Sequence, residues 1–238
     1  MSRWRATLPL VLLVLAGIVL FASGSLDQLT PHQLLANQAE LHAQIDDHPW
    51  LSRFAFTGLL TLTVATGIPG TIVVILAGGF AFGVFDATLY ASIGLTLGSL
   101  ILFLASRYAF GPGSRQPPAI VARMHHGFGQ HPVSYTLFLR FVPVVPFGAV
   151  TIALAWLRCP LWLFLGASWL GGTVTLVFET SIGAGLGDAM SQSESIGPGL
   201  LMHREVWLPL AGLALLALLP LLVERLTRRW RQGDRRGD

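Results

Sequence analysis

Apolar runs alternate with short polar segments along this chain, and the pattern predicts membrane-spanning helices interrupted by two broken stretches. The first run, Leu8 to Ala22, follows Arg3 and Arg5 and is short for a span, which takes about 20 residues. Read as a retained helix, residues 1–24 are an N-terminal transmembrane segment whose leading arginines hold the N-terminus in the cytoplasm. ASGS at Ala22–Ser25 also fits a signal-peptidase site. Residues 25–53 are polar, with Asp27, Glu40, Asp46 and Asp47 against Arg53, and are assigned to the outside. Within Pro31–Ile45, Leu34, Leu35, Leu41 and Ile45 form a rough helical stripe, predicting an amphipathic helix on the membrane surface or against the bundle.

From Phe54 to Ala105 the chain is almost uncharged, and it is broken by GIPG at Gly67–Gly70 and by GGFAFG at Gly78–Gly83. Arg107, Arg115 and Arg123 follow with no acid before Arg140, which assigns residues 106–133 to the cytoplasm. The preceding segment must then cross only once in net. A hairpin over 54–85 turning at Pro69 and Gly70, followed by a helix over 87–106, satisfies that condition. Asp86 is then either the N-cap of this helix or a proton-carrying carboxylate.

The second broken stretch, YTLFLRFVPVVPFG at Tyr135–Gly148, carries Arg140 and is interrupted by Pro143 and Pro146. Proline removes a backbone donor and clashes with the preceding turn, and arginine at the bilayer centre costs roughly 2.5 to 3.5 kcal/mol. Broken backbone survives at membrane depth only inside protein or beside a water-filled cavity. The stretch therefore reads as a re-entrant hairpin lining a polar site, the alternative being a Pro-kinked span with Arg140 snorkelling to an interface. WLRCPLW at Trp156–Trp162 returns to the cytoplasmic face, and Pro160–Gly183 crosses outward. Glu179 lies deep in that crossing, as a functional carboxylate or as one that reaches the interface. An external loop and a last span make up residues 191–224, and the basic tail 225–238 ends in the cytoplasm.

Composition agrees with this pattern: 53% of residues are hydrophobic, 11% charged, and mean hydropathy is +0.65. No ordinary soluble domain has those values. A net charge of +3 would suit a nucleic-acid ligand, but the arginines sit at the ends of apolar runs, where they set topology. A single cysteine, Cys159, excludes an internal disulfide and a CxxC site. The histidines form no convincing ligand set, so neither a metal nor a cofactor is expected. GASW at 166–169 lacks the glycine and the base of an intramembrane serine protease, and GAGLG at 183–187 has no preceding strand for a nucleotide loop. The reading is of a protein that is not an enzyme.

Residues 54–106 are a hairpin from outside followed by an inward helix, and residues 134–183 are a hairpin from inside followed by an outward helix. The fold class is thus an all-α polytopic membrane protein with an inverted repeat of re-entrant hairpins, flanked by N- and C-terminal spans. GGFAFG at 78–83, ASRYAFG at 105–111, LRFVPVVPFG at 139–148 and GASWLGG at 166–172 resemble the DedA superfamily, in its SNARE-associated, VTT-domain branch. The resemblance covers roughly residues 50 to 190, placing a membrane domain at 54–190, and Arg140 and Arg107 match the family's hairpin and helix-end arginines. It implies opposed hairpins in the bacterial inner membrane that move a phospholipid or a polyisoprenyl phosphate across the bilayer. Departures from DedA proper are the absence of acid in 54–85 and Pro146–Phe147 where a second hairpin arginine would stand.

On this reading Arg140 holds a phosphate where the hairpin tips, Gly70 with Pro69 and Pro143 with Pro146, meet. Gly78, Gly79 and Gly83 complete the candidate substrate-binding set, Glu179 or Asp86 balances the arginine, and Arg107 is structural. A carrier of a small solute or oxyanion and a non-transporting scaffold docked through the tail are the competing readings.

Overall fold

The computed structural model describes residues 3–22, 38–67, 70–109, 119–141, 146–191 and 206–215. Every regular element among them is helical: α1 (Arg3–Ala22), α2 (Gln38–Asp47), α3 (Pro49–Thr66), α4 (Thr71–Ala109), α5 (Ala119–Gln130), α6 (Pro132–Phe141), α7 (Phe147–Trp156), α8 (Leu161–Ser191) and α9 (Val206–Leu215). Pro69, Pro143, the start of the stripe at Leu34 and Leu35, the loop after α8 and the basic tail lie outside the described residues.

Helix α3 begins at Pro49, where the missing N–H costs nothing at the first helical position. Arg53 is therefore a helical residue. Gly67, with φ 67°, ends α3 in the left-handed conformation, and its N–H donates to the Val64 carbonyl. Gly70 also has positive φ, so the turn before α4 uses backbone that other residues rarely adopt.

Helix α4 counts 39 residues, but Gly83 (φ 74°, ψ 178°) breaks its helical backbone into 71–82 and 84–109. The contacts of α3 give the two halves opposite senses. Phe56 packs on Phe82 and fills the space beside Gly78, whereas Arg53 reaches Asp86, and the Thr57 and Thr61 carbonyls lie against Gly94 and Gly98. Helix α3 is thus antiparallel to 71–82 and parallel to 84–109. The same arrangement recurs in the second half of the chain. Thr136 on α6 meets Cys159 beyond α7, while Arg140 meets Thr151 on α7 and Gly171 on α8.

The two long helices carry the packing between these units. Thr88 bonds Thr180 at 2.7 Å, Leu95 fills the space beside Gly172, and Phe103 stacks on Phe164 at 4.0 Å between ring centroids. Residue numbers rise on one helix as they fall on the other, so 84–109 and α8 are antiparallel. Small residues let the backbones close. A Cβ at Gly79 or Gly183 would collide with the carbonyl of Thr180 or Leu76.

The outer faces are as informative as the inner ones. Leu89, Ile93, Leu97, Ile101, Leu104 and Tyr108 form an exposed stripe down α4, while Ala87, Ala91, Gly94, Gly98, Ala105 and Ala109 are buried. Leu95, Leu102 and Phe103 are the large side chains turned inward over 84–109, and the exposed stripe is apolar, unlike the polar outer face of a water-soluble helix. Among the described residues, Thr71–Ala109 and Leu161–Asp188 are long and apolar enough to cross a membrane, and Phe147–Trp156 and Val206–Leu215 are apolar but short. Helix α1 packs on α4 and α3.

Candidate functional site

Arg140, in the last turn of α6, is only 6% exposed. Its surroundings explain how a guanidinium is tolerated there. Gly171 of α8 leaves room for its Cβ. Its Cζ lies 4.1 Å from the centre of the Phe147 ring and 4.9 Å from that of Phe164, contacts worth ~2 kcal/mol each when desolvated. One nitrogen, Nη2, donates to Thr151 Oγ1 at 3.2 Å. That hydroxyl donates its own proton to the Phe147 carbonyl, so the lone pair facing Arg140 is available as an acceptor. Nε and Nη1 are buried and find no protein acceptor. A buried charged donor left unmatched costs more than the ~1 to 3 kcal/mol of a neutral one.

Arg140 lines a cavity of about 200 Å³. Pro146 and Phe147, just past the second break, form one wall, and Thr71, Ile72 and Ile75, just past the first, form another. The two turns themselves come together: a Cβ on Gly148 would lie 3.5 Å from the Cα of Gly67. Helix α8 closes the far side with Gly172, Thr175, Leu176 and Glu179. Eight residues separate Gly171, beside Arg140, from Glu179, about 12 Å of helical rise. The carboxylate therefore faces the same cavity as Arg140 without forming an ion pair with it.

The remaining expected site residues fall elsewhere. Asp86 is not an N-cap. It stands three residues past the break at Gly83 and accepts from Arg53 Nε at 3.1 Å and again from Nη2. Its charge is matched locally, and it does not line the cavity. Gly78 and Gly79 are packing positions, filled by the Phe56 ring and the Thr180 backbone, and Gly83 is the break itself. None of the three borders the cavity. Gly70 precedes the cavity-lining Thr71 in the turn. Arg107 donates from Nη1 to the Cys159 carbonyl at 3.0 Å, tying the end of α4 to the α7–α8 turn.

Sequence reasoning missed Thr151, Phe147, Phe164 and Thr175. The usable signal was hydroxyls isolated in apolar helices, since such a group marks either a back-bond to the helix or a partner across it. Among the described residues no cluster of three or more His, Cys, Asp or Glu side chains could hold a metal.

No curated protein and no solved structure matches the chain. The model of the VTT domain does, over residues 47–185, more than half of the 238 residues. That range begins beside α3, ends within α8 and contains every residue that lines the Arg140 cavity. The chain belongs to the VTT-domain family, the domain of the DedA and SNARE-associated membrane proteins.

Proposed function

We propose that this protein moves a lipid bearing a phosphate headgroup, a phospholipid or a polyisoprenyl phosphate, across the bilayer through the Arg140 cavity. The observation that carries the reading is Arg140 itself. It is a buried cation with two unmatched nitrogens, and it lines a cavity at the junction of two helix breaks. A guanidinium presents a planar fork that suits phosphate oxygens. Thr71 and Thr175 add hydroxyls to the cavity lining. Glu179 balances the arginine when no anion is bound and yields as the headgroup enters.

The packing supports the inverted repeat. Each unit is a helical hairpin followed by a long helix parallel to its first arm, and the two long helices are antiparallel. With the large apolar side chains of α4 toward lipid, both hairpins become re-entrant, one from each side, and the cavity falls near the midplane. The arginines at the ends of the apolar runs then keep both termini in the cytoplasm and the protein in the plasma membrane.

A cavity of about 200 Å³ also favours a second reading, carriage of a small free oxyanion, because it is below the roughly 300 to 1,000 Å³ of most ligand pockets. Proteoliposomes separate the two. Flip of fluorescent phospholipid and of polyisoprenyl phosphate is measured with wild type and with Arg140→Ala, alongside uptake of labelled phosphate. Arginine-dependent lipid flip supports the proposal; arginine-dependent phosphate uptake without lipid flip moves the assignment to the oxyanion carrier. Lipid flip that is equal in wild type and folded Arg140→Ala removes Arg140 from the mechanism.

A further inference from the structure

A second, larger cavity lies on the other side of α6 and α7. Its volume is about 1090 Å³, and its walls are Val121 and Met124 of α5, Tyr135 and Phe138 of α6, and Ile152 and Trp156 of α7. His131 and Ser134 supply the polar groups of its lining. Phe138 is 53% exposed, so the groove is open along one lip.

Two residues, Leu139 and Val150, line both this groove and the cavity of Arg140. A pair of apolar side chains is thus the partition between a buried cation and an apolar channel. Arg140 is the next residue after Leu139, and Thr151, which holds its guanidinium, is the next after Val150. The small cavity, with Arg140, Glu179, Thr71 and Thr175 in its lining, has room for a phosphate but not for a long hydrocarbon chain. The groove has the opposite character, and its volume reaches the top of the range of ligand pockets, roughly 300 to 1,000 Å³.

From this adjacency we infer that the α5–α6–α7 groove holds the hydrocarbon tail of the lipid whose phosphate is held by Arg140. The inference rests on the headgroup reading above and adds a second recognition element to it. Amphiphilic ligands match the pairing: an anion for the unmatched nitrogens of Arg140, and an alkyl or isoprenyl chain for the groove alongside. Binding strength then depends on the chain as well as the charge, and a free phosphate uses only half of the site.

The test measures binding of two probes, dioleoyl phosphatidic acid and inorganic phosphate, to the full chain in detergent. Ala149 and Ser134 both line the groove and are exposed, so Ala149→Phe and Ser134→Phe fill it without entering the packed core. The expected result is at least tenfold weaker phosphatidic acid binding by either variant, with phosphate binding unchanged. Equal loss for both probes, or no loss for phosphatidic acid in either variant, overturns the groove assignment while leaving the headgroup reading intact. Arg140→Ala that leaves both affinities unchanged overturns the headgroup reading and the groove with it. A measurement on the unfilled groove is independent of those variants. Phosphatidic acid with brominated chains should quench a fluorescence component present in wild type and missing in Trp156→Phe. The absence of any such difference overturns the tail assignment.

Discussion

Gly171 and Arg140 are matched in shape: a Cβ at 171 would lie 3.0 Å from the Cβ of Arg140 and 3.5 Å from its carbonyl. The obstruction is a Cβ fixed to backbone, so it cannot swing aside as the end of a long side chain would. Gly171→Ala should therefore lower stability, and Gly171→Val should lower it further, by about 1 to 3 kcal/mol for overpacking of this kind. Thermal unfolding in detergent checks the order wild type, alanine, valine. Gly166 is the control, because nothing lies within 4 Å of its Cβ position. Gly166→Ala should leave the melting temperature unchanged or raise it, since alanine is the better helix former.

Gly83 is a different kind of glycine. There is open space around it, so bulk is no obstacle, but its φ of 74° and ψ of 178° belong to a region used almost only by glycine. Gly83→Ala should cost about 1 to 3 kcal/mol through the backbone alone. The distinguishing measurement is Gly83→Asn. Asparagine tolerates left-handed backbone with ψ near 47° but not this extended ψ, so it should be no better than alanine. Rescue by asparagine would show that the break has relaxed to an ordinary left-handed turn.

How far the fold was legible follows from such residues. Breakers and charges are local signals, and they located the turn at Gly67–Gly70, the two long apolar helices and the isolated Arg140 directly. The break at Gly83 was legible in GGFAFG, although the role of its glycines was not. Gly78 and Gly79 serve helix packing because Phe56 and the Thr180 backbone stand opposite, and those partners lie 22 and 101 positions away. For the same reason the acids could not be sorted from sequence. Asp86 and Glu179 are both acids in apolar surroundings, and only the fold puts Arg53 beside one and the Arg140 cavity beside the other.

That sorting makes a functional prediction. Asp86→Asn removes an ion pair that is partly exposed and does not line the cavity, so transport that depends on Arg140 should survive it. Glu179→Gln removes the acid that faces the cavity and should change the transport rate at least severalfold while the protein remains folded. The paired comparison in one flux assay is decisive. A larger effect from Asp86→Asn than from Glu179→Gln would reverse the assignment. The Arg53–Asp86 pair should instead show itself as a small coupling between Arg53→Gln and Asp86→Asn in melting temperature, reduced by added salt.

The turn after α7 holds a correctable imperfection. Arg158 has φ 54°, and it is the non-glycine residue with positive φ among the described residues. The Arg158 N–H donates to the Ala155 carbonyl and the Cys159 N–H to the Leu154 carbonyl, the paired bonds of a Schellman cap whose left-handed position favours glycine. A left-handed side-chain-bearing residue costs about 1 to 2 kcal/mol, partly offset by the extra freedom that glycine has when unfolded. Arg158→Gly should raise stability by ~0.5 to 1 kcal/mol, read as a higher melting temperature. Arg158→Ala, which keeps the Cβ, should give no such gain.

Cys159, in the turn between α7 and α8, provides a pH-dependent readout of the packing around α6. It is the one cysteine of the chain, so labelling reports on it alone. Burial pushes its thiol up from the ordinary value. That outweighs the hydrogen bond with Thr136 and the positive charges of Arg140 and Arg107, which pull it down. The thiolate is the reactive form, and a raised pKa means less of it at neutral pH. Maleimide labelling of the folded protein at pH 7 should therefore be slower than that of the unfolded chain. The rate should keep rising with pH through and beyond the range in which an exposed thiol levels off. Thr136→Val removes the hydroxyl that stabilises the thiolate, so it should slow labelling further at fixed pH. Arg140→Ala should slow it as well, because the cation that favours the thiolate is gone. Faster labelling in Arg140→Ala would instead report that the α6–α8 contact had opened, so the same measurement separates the loss of a charge from the loss of packing.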